Sequence, residues 1–397
     1  MRTILQINST INWGSTGRIA ESIGNEAIKR GWISYFAYGR WSNPSQSYMI
    51  KVGGVMNKYI HYLEQRVLDN EGLNSRTATK KLIRQIKTIK PDVVQLHNIH
   101  DHFLNYRLLF EFLNQTSIKV VWTFHDCWAF TGHCTHFVKA NCNKWRMGCF
   151  SCPLKGEYPK SLLDRSKRNY ELKKKLFTSN DNLIIVTVSE WLAGLVRQSF
   201  FKGNKIKVIN NGVDLRTFHP IQKEYSERFK IIGVATAWNK DKGLYDFFKL
   251  RELLPESDYE IMLIGLSSKQ IRELPKGIMG KTKTSSAEEL AIWYNMADVV
   301  LSLSKAETFG LTIAEGMACG TPAIVYGNTA QKELVAFNTG FVVEDGDVAT
   351  LCDRIQEIKK CGKEFFSIAC RRRAENYFNK DKSIEKYIRL YEELIDT

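Results

Sequence analysis

No stretch of this 397-residue chain is long and apolar enough to read as a transmembrane helix, which argues against an integral membrane protein. There is no fixed-period repeat and no low-complexity segment, so neither a solenoid nor a disordered tail is expected. Acidic residues are scarce in one half only. Residues 1–200 hold 28 Lys and Arg against 14 Asp and Glu, while residues 201–397 hold 29 against 28. A one-sided basic excess suits an anionic membrane surface, a polyanionic or lipid-diphosphate ligand, or nucleic acid. No zinc-finger, RNA-recognition or helix-turn-helix signature accompanies it, so the expectation is no nucleic-acid partner. A solvated face with no partner would give the same excess. Met1-Arg-Thr-Ile-Leu-Gln-Ile-Asn8 is too short and turns polar too soon for a signal peptide, and reads as a buried first strand. With nine cysteines and no such leader, the expected setting is the reducing cytoplasm, where thiols stay free or bind metal.

The hydrophobic content of 44% and aromatic content of 12% suffice for two packed cores, and the length exceeds what one core serves. Short β-branched runs alternate with helix-length amphipathic segments. Arg2–Ile7, Val93–Leu96, Lys119–Phe124, Leu183–Val188 and Ile206–Ile209 read as strands, with helices at Gly17–Arg30, Ala78–Lys90, Leu104–Asn114 and Glu190–Phe200. Phe229–Thr236, Tyr259–Ile264, Val299–Leu303 and Thr321–Val325 repeat the alternation. Buried strands between helices mean a parallel, doubly wound α/β sheet, here in two halves of similar size with a boundary near Lys202–Lys207.

The most specific string is Lys305-Ala-Glu-Thr-Phe-Gly-Leu-Thr-Ile-Ala-Glu315-Gly-Met-Ala-Cys-Gly-Thr-Pro322. Glu307 and Glu315 flank Phe309-Gly310-Leu311, and a small-residue helix pattern runs on to a Gly-Thr-Pro stop. Glycine at the turn lets backbone N–H groups approach an anion, and the helix aims its positive end at the same point. A carboxylate on either side of an anion nest suits a diphosphate flanked by hydroxyls, the shape of a nucleotide sugar. The glutamate spacing alone equally describes a surface residue ahead of an amphipathic helix. The whole string resembles the C-terminal signature of retaining GT-B glycosyltransferases of family 4. The resemblance implies that Glu315 holds the ribose, that Glu307 contacts the donor sugar, and that the N–H groups of Phe309-Gly310-Leu311 hold phosphate and sugar.

The resemblance covers nearly the whole chain. Val208-Ile-Asn-Asn-Gly-Val-Asp-Leu-Arg-Thr-Phe-His-Pro220 resembles the family's interdomain segment. The implied architecture is α/β, GT-B: two Rossmann-like, doubly wound domains facing across a cleft. Residues 1–204 would form the acceptor-side domain and 205–379 the donor-binding domain, with 380–397 crossing back onto the first. Lys242-Gly243 matches a family pair that meets the donor diphosphate. Ala237 stands in the register of the usual arginine, which removes a bidentate phosphate clamp; Lys240 offers a point charge and Trp238 a ring for stacking. Asn328-Thr-Ala-Gln-Lys-Glu333 departs from the usual Gly-Gly pair. Met279-Gly-Lys-Thr282 lies where relatives hold the nucleobase.

In the first half, Ser9-Thr-Ile-Asn-Trp-Gly14-Ser-Thr-Gly17-Arg18 links strand to helix, a turn suited equally to a phosphate and to plain geometry. The family's matching loop approaches the donor, which marks Gly14. Trp122-Thr-Phe-His125-Asp126 closes a strand on the edge where doubly wound sheets bind ligands. The resemblance makes His125 a catalytic positioning group beside the reacting carbon, with Asp126 orienting it or touching the acceptor. His97 and His100 close the preceding strand and are expected on the acceptor side; ordinary loop packing suits them as well. Cys134, Cys142, Cys149 and Cys152 lie within nineteen positions and are a candidate structural zinc set, with His133 and His136 as substitute ligands. This cysteine-rich string resembles a family 4 branch linked to colanic-acid-like and capsular polysaccharide assembly.

The expected protein is therefore a retaining hexosyltransferase, with His125, Glu307 and Lys242 carrying the chemistry and no cofactor required for catalysis. The donor is a UDP- or GDP-sugar, and the acceptor a glycan hydroxyl, on a polyprenyl diphosphate at the inner face of the plasma membrane. Closure of the domains would bring donor and acceptor together. Two rivals bind the same donor: a GT-B sugar-nucleotide epimerase, and a non-catalytic nucleotide-sugar-binding scaffold.

Overall fold

The computed structural model describes residues 1–222 and 226–396, which divide into two compact units, 1–209 with 384–397, and 210–383. The first unit runs β1 (Thr3–Asn8), α1 (Gly14–Lys29), β2 (Ile33–Tyr38), β3 (Tyr48–Lys51), α2 (Val55–Leu68), α3 (Arg76–Ile89), β4 (Val93–Leu96), α4 (Tyr106–Leu113), β5 (Lys119–Phe124), α5 (Ser166–Phe177), β6 (Leu183–Thr187), α6 (Glu190–Gln198) and β7 (Lys205–Val208). Its sheet is parallel, ordered β3-β2-β1-β4-β5-β6-β7. Every residue of β1, β4 and β6 is buried, as a central strand covered on both faces requires.

The second unit runs β8 (Phe229–Val234), α7 (Leu244–Leu253), β9 (Tyr259–Ile264), α8 (Ser268–Arg272), β10 (Ile278–Lys281), α9 (Ala287–Met296), β11 (Val299–Ser302), α10 (Leu311–Ala318), β12 (Ala323–Tyr326), β13 (Gly340–Val343), α11 (Val348–Cys361) and α12 (Lys363–Tyr377). Its parallel sheet is ordered β10-β9-β8-β11-β12-β13. The last helix, α13 (Lys380–Ile395), enters the first unit from Ile384 onward. There Ile384, Tyr387, Ile388 and Tyr391 pack on Val93, Val121 and Ile184. The Tyr391 hydroxyl donates to Gln95 Oε1 at 2.8 Å, and Gln95 Nε2 to Thr123 Oγ1 at 2.8 Å.

The strand order reverses between β1 and β4 in the first unit and between β8 and β11 in the second. Ligands of such sheets bind beyond the carboxyl ends of those strands. Those ends lead into Ser9–Gly14 and His97 in one unit, and into Ala237–Gly243 and Lys305–Gly310 in the other. The boundary expected at 204 falls instead after Ile209. The reason is that β7 pairs with β6, from Ile184 opposite Lys205 to Thr187 opposite Val208, and so belongs to the first sheet. β3 and α2 give no inward apolar pattern in the sequence, because β3 is a largely exposed edge strand and the apolar residues of α2 point outward.

Candidate active site

In the first unit the β1–α1 turn places Gly14 at φ +66°, a left-handed value that glycine adopts without strain. A side chain on Gly17 would put its Cβ 2.8 Å from Thr10 Oγ1, so the turn closes only around glycine. Arg18 is exposed on the second turn of α1. From here a chain of hydrogen bonds runs through the sheet. Gln6 Nε2 donates to the Ala20 carbonyl at 2.8 Å, which turns Gln6 Oε1 toward His97 Nε2 at 3.2 Å. His97 Nδ1 lies 3.1 Å from His125 Nε2, with the two rings stacked 5.4 Å apart. Since Gln6 Oε1 only accepts, the neutral pattern is assigned throughout: His97 donates from Nε2, His125 donates from Nε2 to His97, and Nδ1 of His125 is an acceptor nitrogen.

Burial enforces that neutrality. It lowers the His125 pKa to about 4, the nearby Asp126 charge failing to offset it, and drives His97 well below the usual histidine range with help from His125. His97, expected on the acceptor side or in ordinary loop packing, is 1% exposed: it backs His125 and presents little surface of its own.

Asp126, expected to orient His125 or to touch the acceptor, bonds His100. Its Oδ2 lies 2.9 Å from His100 Nε2, and its Oδ1 accepts the Trp128 N–H at 2.8 Å. Burial alone would raise the Asp126 pKa, but the His100 charge and hydrogen bond hold it at about 2. Burial lowers His100, yet Asp126 outweighs it and the net shift is upward. His97, His100, His125 and Asp126 line one small pocket with Trp122 and Trp128.

Sequence reasoning missed what holds this loop. Asp101 and His102 both have left-handed backbones, at φ +85° and +64°, which is rare outside glycine. Glu71 Oε1 accepts both their N–H groups, at 2.7 and 3.0 Å. Glu71 Oε2 and His102 Nδ1 are 2.6 Å apart, an ion pair outside hydrogen-bond angles. Asp101 pairs with Arg40, whose guanidinium lies over Trp41, itself 4.4 Å from Trp13. The one available signal was a buried acid at Glu71 in a polar loop, which composition cannot distinguish from a solvated one.

The four cysteines of the zinc expectation lie in one neighbourhood, with Cys134, Cys142, Cys149 and Cys152 acting electrostatically on one another. Among the described residues the one group of three such ligand atoms within 4.8 Å of each other is His61, Glu71 and His102, not the cysteines. His61 does not fit a metal either, because Nε2 accepts the Gly72 N–H at 3.0 Å and Nδ1 bonds Ser75 Oγ at 2.9 Å. Of the four cysteines, Cys134 and Cys152 share a thiol hydrogen bond that lowers Cys152 to about 7, and Cys149 accepts the Gly132 N–H at 3.2 Å. Burial raises the Cys149 pKa to about 11, and half-buried Cys142 adds to that rise. His133, a substitute ligand, meets Asp69 through Nδ1 at 2.6 Å, and its buried Nε2 makes no hydrogen bond. Beneath the insertion Lys173 is buried, donating to the Trp128 and Thr131 carbonyls at 2.7 and 3.0 Å, and burial lowers its pKa to about 7.

In the second unit Lys242 and Glu307 are brought together from two loops, with Nζ 2.5 Å from Oε1. The loops are tied by the Lys305 N–H donating to the Asp241 carbonyl at 2.8 Å. Gly243, at φ +77°, lies so close to Leu303 that a Cβ would meet its carbonyl at 2.4 Å, so Lys242 can occupy this place only with glycine after it. Gly310, at φ +106°, caps α10 and turns the chain into it. Phe309 is 3% exposed and packs edge-on against Phe378 at 5.7 Å, so it anchors the turn, leaving ligand contact to the backbone. Leu311 opens the helix, and Glu315 on its second turn accepts from the buried Tyr294 hydroxyl at 3.1 Å.

Ala237 is exposed and carries no charge for a phosphate. Trp238 is not available for stacking on a ligand: it is 7% exposed, donates to the Ile264 carbonyl at 2.8 Å and packs on Phe247. Within Asn328–Glu333 lies fully buried Gln331, whose Nε2 donates to the Ser302, Ser304 and Tyr326 carbonyls at 3.2, 3.0 and 3.1 Å. It staples the loop that carries Glu307. Met279, Gly280 and Lys281 lie in edge strand β10 itself, not after a strand, and the Lys281 carbonyl accepts from Gly265 and Leu266.

The profile of Glycosyltransferase Family 4 matches residues 17–217, and that of Glycosyl transferases group 1 matches 216–377. WcaC of Escherichia coli (strain K12), by name a colanic acid biosynthesis glycosyl transferase, is 24% identical over 98% of this chain and 100% of its own. Sucrose-phosphate synthase of Thermosynechococcus elongatus superposes with a TM-score of 0.74 at 16% identity, covering 100% of both chains. HepE of Anabaena, in complex with UDP and glucose, superposes at 0.65 with 14% identity, covering 98% of this chain and 99% of that one.

Proposed function

The chain belongs to glycosyltransferase family 4, and on that premise we propose that it transfers a hexose, with retention, from a UDP- or GDP-sugar to a hydroxyl of a polyprenyl-diphosphate-linked glycan. The setting proposed is cell-surface polysaccharide assembly on the cytoplasmic side of the membrane, as the name of WcaC suggests by analogy. The observation that carries the reading is the Lys242–Glu307 pair beside the start of α10.

In this reading the second unit holds the donor. Glu315, steadied by Tyr294, takes the ribose hydroxyls, and Glu307 takes a hydroxyl of the sugar. Lys242 swings from Glu307 toward the diphosphate, where negative charge builds as the bond from the anomeric carbon to the phosphate oxygen breaks. The N–H groups at Gly310 and Leu311 and the positive end of α10 stabilise the same charge. The acceptor hydroxyl attacks the face the diphosphate leaves, and its proton passes to the departing phosphate oxygen, so no enzyme nucleophile is needed. His125 stays neutral and accepts a sugar hydroxyl through Nδ1. His100 and Asp126 shape the acceptor side.

Ala237, where relatives carry an arginine, favours one rival, a protein that binds nucleotide sugars without turning them over. A donor panel read by thermal shift and product NMR separates them, beginning with UDP-sugars because HepE was captured with UDP. The proposal expects one donor to raise the melting temperature, the shift to vanish in Glu315→Ala, and the product to keep the donor's anomeric configuration. Binding without product in the presence of lipid-linked acceptors would favour the scaffold, and inverted product would sink retention.

A further inference from the structure

Two tryptophans stand exposed where folding gives them no reason to be. β1 and β2 end side by side, Asn8 opposite Tyr38, and the loops that follow carry Trp13 and Trp41. The two rings lie 4.4 Å apart at a tilt of 33°, yet they stay 43 and 48% exposed. Buried Trp122, Trp145 and Trp238 each spend the indole N–H on a carbonyl. Trp13 and Trp41 leave theirs to water or to a ligand.

The two loops are stitched so that the rings are held together. The Gly39 and Arg40 N–H groups both donate to the Ser9 carbonyl, at 3.1 and 2.8 Å. Ile11 N–H donates to the Trp41 carbonyl and Asn43 N–H to the Ile11 carbonyl, each at 3.1 Å. Asn12 Nδ2 donates to the Pro44 carbonyl and Asn43 Nδ2 to the Asn12 carbonyl, each at 2.7 Å. Asn12 itself is left-handed at φ +48°, a conformation that persists only where its surroundings impose it. A pair of rings fixed in advance spares a ligand the cost of ordering them.

The surroundings say what the rings meet. The Arg40 guanidinium lies 4.3 Å from the Trp41 ring centre and pairs with Asp101, next to the pocket residue His100. β3 ends at Lys51 beside Tyr38, and half-buried Lys58 follows on α2. Burial lowers the Lys58 pKa, with Lys51 and Arg40 adding to the fall and Asp101 opposing it. Three cations thus crowd around one carboxylate, a charge excess that an anion would relieve. Indole faces match the flat C–H face of a pyranose and leave its hydroxyls at the rim for N–H groups and water.

We propose that Trp13 and Trp41 form a stacking subsite for an acidic pyranose of the acceptor glycan, a hexuronate whose carboxylate meets Arg40 and Lys58. The inference rests on the reading of the first unit as the acceptor side, and narrows that acceptor to one bearing a carboxylate.

The test follows the indole N–H resonances of the full chain without nucleotide sugar, assigned through Trp13→Ala and Trp41→Ala. The titrants are a tetrasaccharide of alternating glucuronate and N-acetylglucosamine, neutral chitotetraose, and uridine monophosphate. The acidic sugar is expected to shift the Trp13 and Trp41 resonances and to bind about two- to fivefold more tightly than the neutral one. Trp41→Ala should weaken it by about two- to tenfold and Trp41→Phe by less. Lys58→Ala should abolish the preference for the acidic sugar while chitotetraose still binds. An unchanged urea midpoint shows that the variants fold. Resonances that ignore both sugars, or that move only with uridine monophosphate, overturn the proposal, and a preference for chitotetraose overturns the acidic assignment. Donor binding by thermal shift is read separately, so a silent shelf with an intact donor shift strikes this inference and leaves the proposed transfer standing.

Discussion

In the first unit His97 is 1% exposed and passes a hydrogen-bond direction from Gln6 to His125, whereas in the second Lys242 and Glu307 keep 33 and 24% of their side chains in solvent. The first arrangement fixes protonation and tautomer by withholding water. The second stores charge in a pair that a ligand can open. A half-exposed ion pair is worth at most about 1 kcal/mol, so Lys242 can exchange Glu307 for a diphosphate at little cost. A buried relay has no such freedom, because each polar atom left unpaired costs about 1–3 kcal/mol. One unit is built to keep a neutral group in place, and the other to release a cation on demand.

The sharpest way to break this contrast is Lys242→Ala. If the lysine serves the transition state, kcat should fall about 10²–10³-fold while the melting temperature barely moves; an unchanged kcat would leave the pair without a catalytic purpose. Next comes Glu315→Gln, which keeps an acceptor for Tyr294 but loses the charge. Calorimetry should show donor affinity weaker by about 10–100-fold, with the acceptor KM unaffected.

The first unit should respond in the opposite way. Gln6→Leu touches no ligand, yet it leaves His97 Nε2–H unpaired and should cost about 1–3 kcal/mol in urea unfolding. It should also shift the imidazole nitrogen resonances of His125 and lower kcat with the donor KM unchanged. Stability that falls with silent resonances would reduce the relay to packing. Ala237→Arg sharpens the comparison from the donor side: a restored guanidinium should tighten nucleotide-sugar binding by up to about tenfold.

The smallest effect is in the pH profile. The His125 pKa is depressed to about 4, below its unfolded value of about 6.5. Above the upper value neither state holds the proton, so there is no penalty. As pH falls between the two, the unfolded chain takes up a proton that the folded His125 refuses, and stability declines. His125→Phe should flatten that limb, and wild-type kcat/KM should show no histidine limb near 6.5.

Much of this was legible in the residues. The buried strands β4, β5 and β9 fall where their apolar runs end, and the string from Lys305 to Pro322 marks both the Gly310 cap and the two glutamates around it. Gln6 was visible as a polar residue between Leu5 and Ile7, but its partner lies 91 positions away and nothing local points to it. The partner of Asp126 was hidden for a similar reason. It adjoins His125 in sequence, yet alternate side chains of a strand end diverge, and the carboxylate meets His100 across the sheet edge. The cysteine spacing suggested a zinc set; which thiols meet, Cys134 with Cys152 and Cys149 with the Gly132 N–H, was decided by the chain path.

What the amino-acid sequence determined by itself was the local physics: two alternations of strand and helix, glycines where the backbone must be left-handed, and charged residues beside them. The tertiary structure alone decided which polar atoms share a buried bond and which face of α2 meets water. Periodicity reports only that one side of an element differs from the other. Whether that side is covered depends on segments far away in the chain, such as Ser75 and Pro159, whose placement no local pattern encodes.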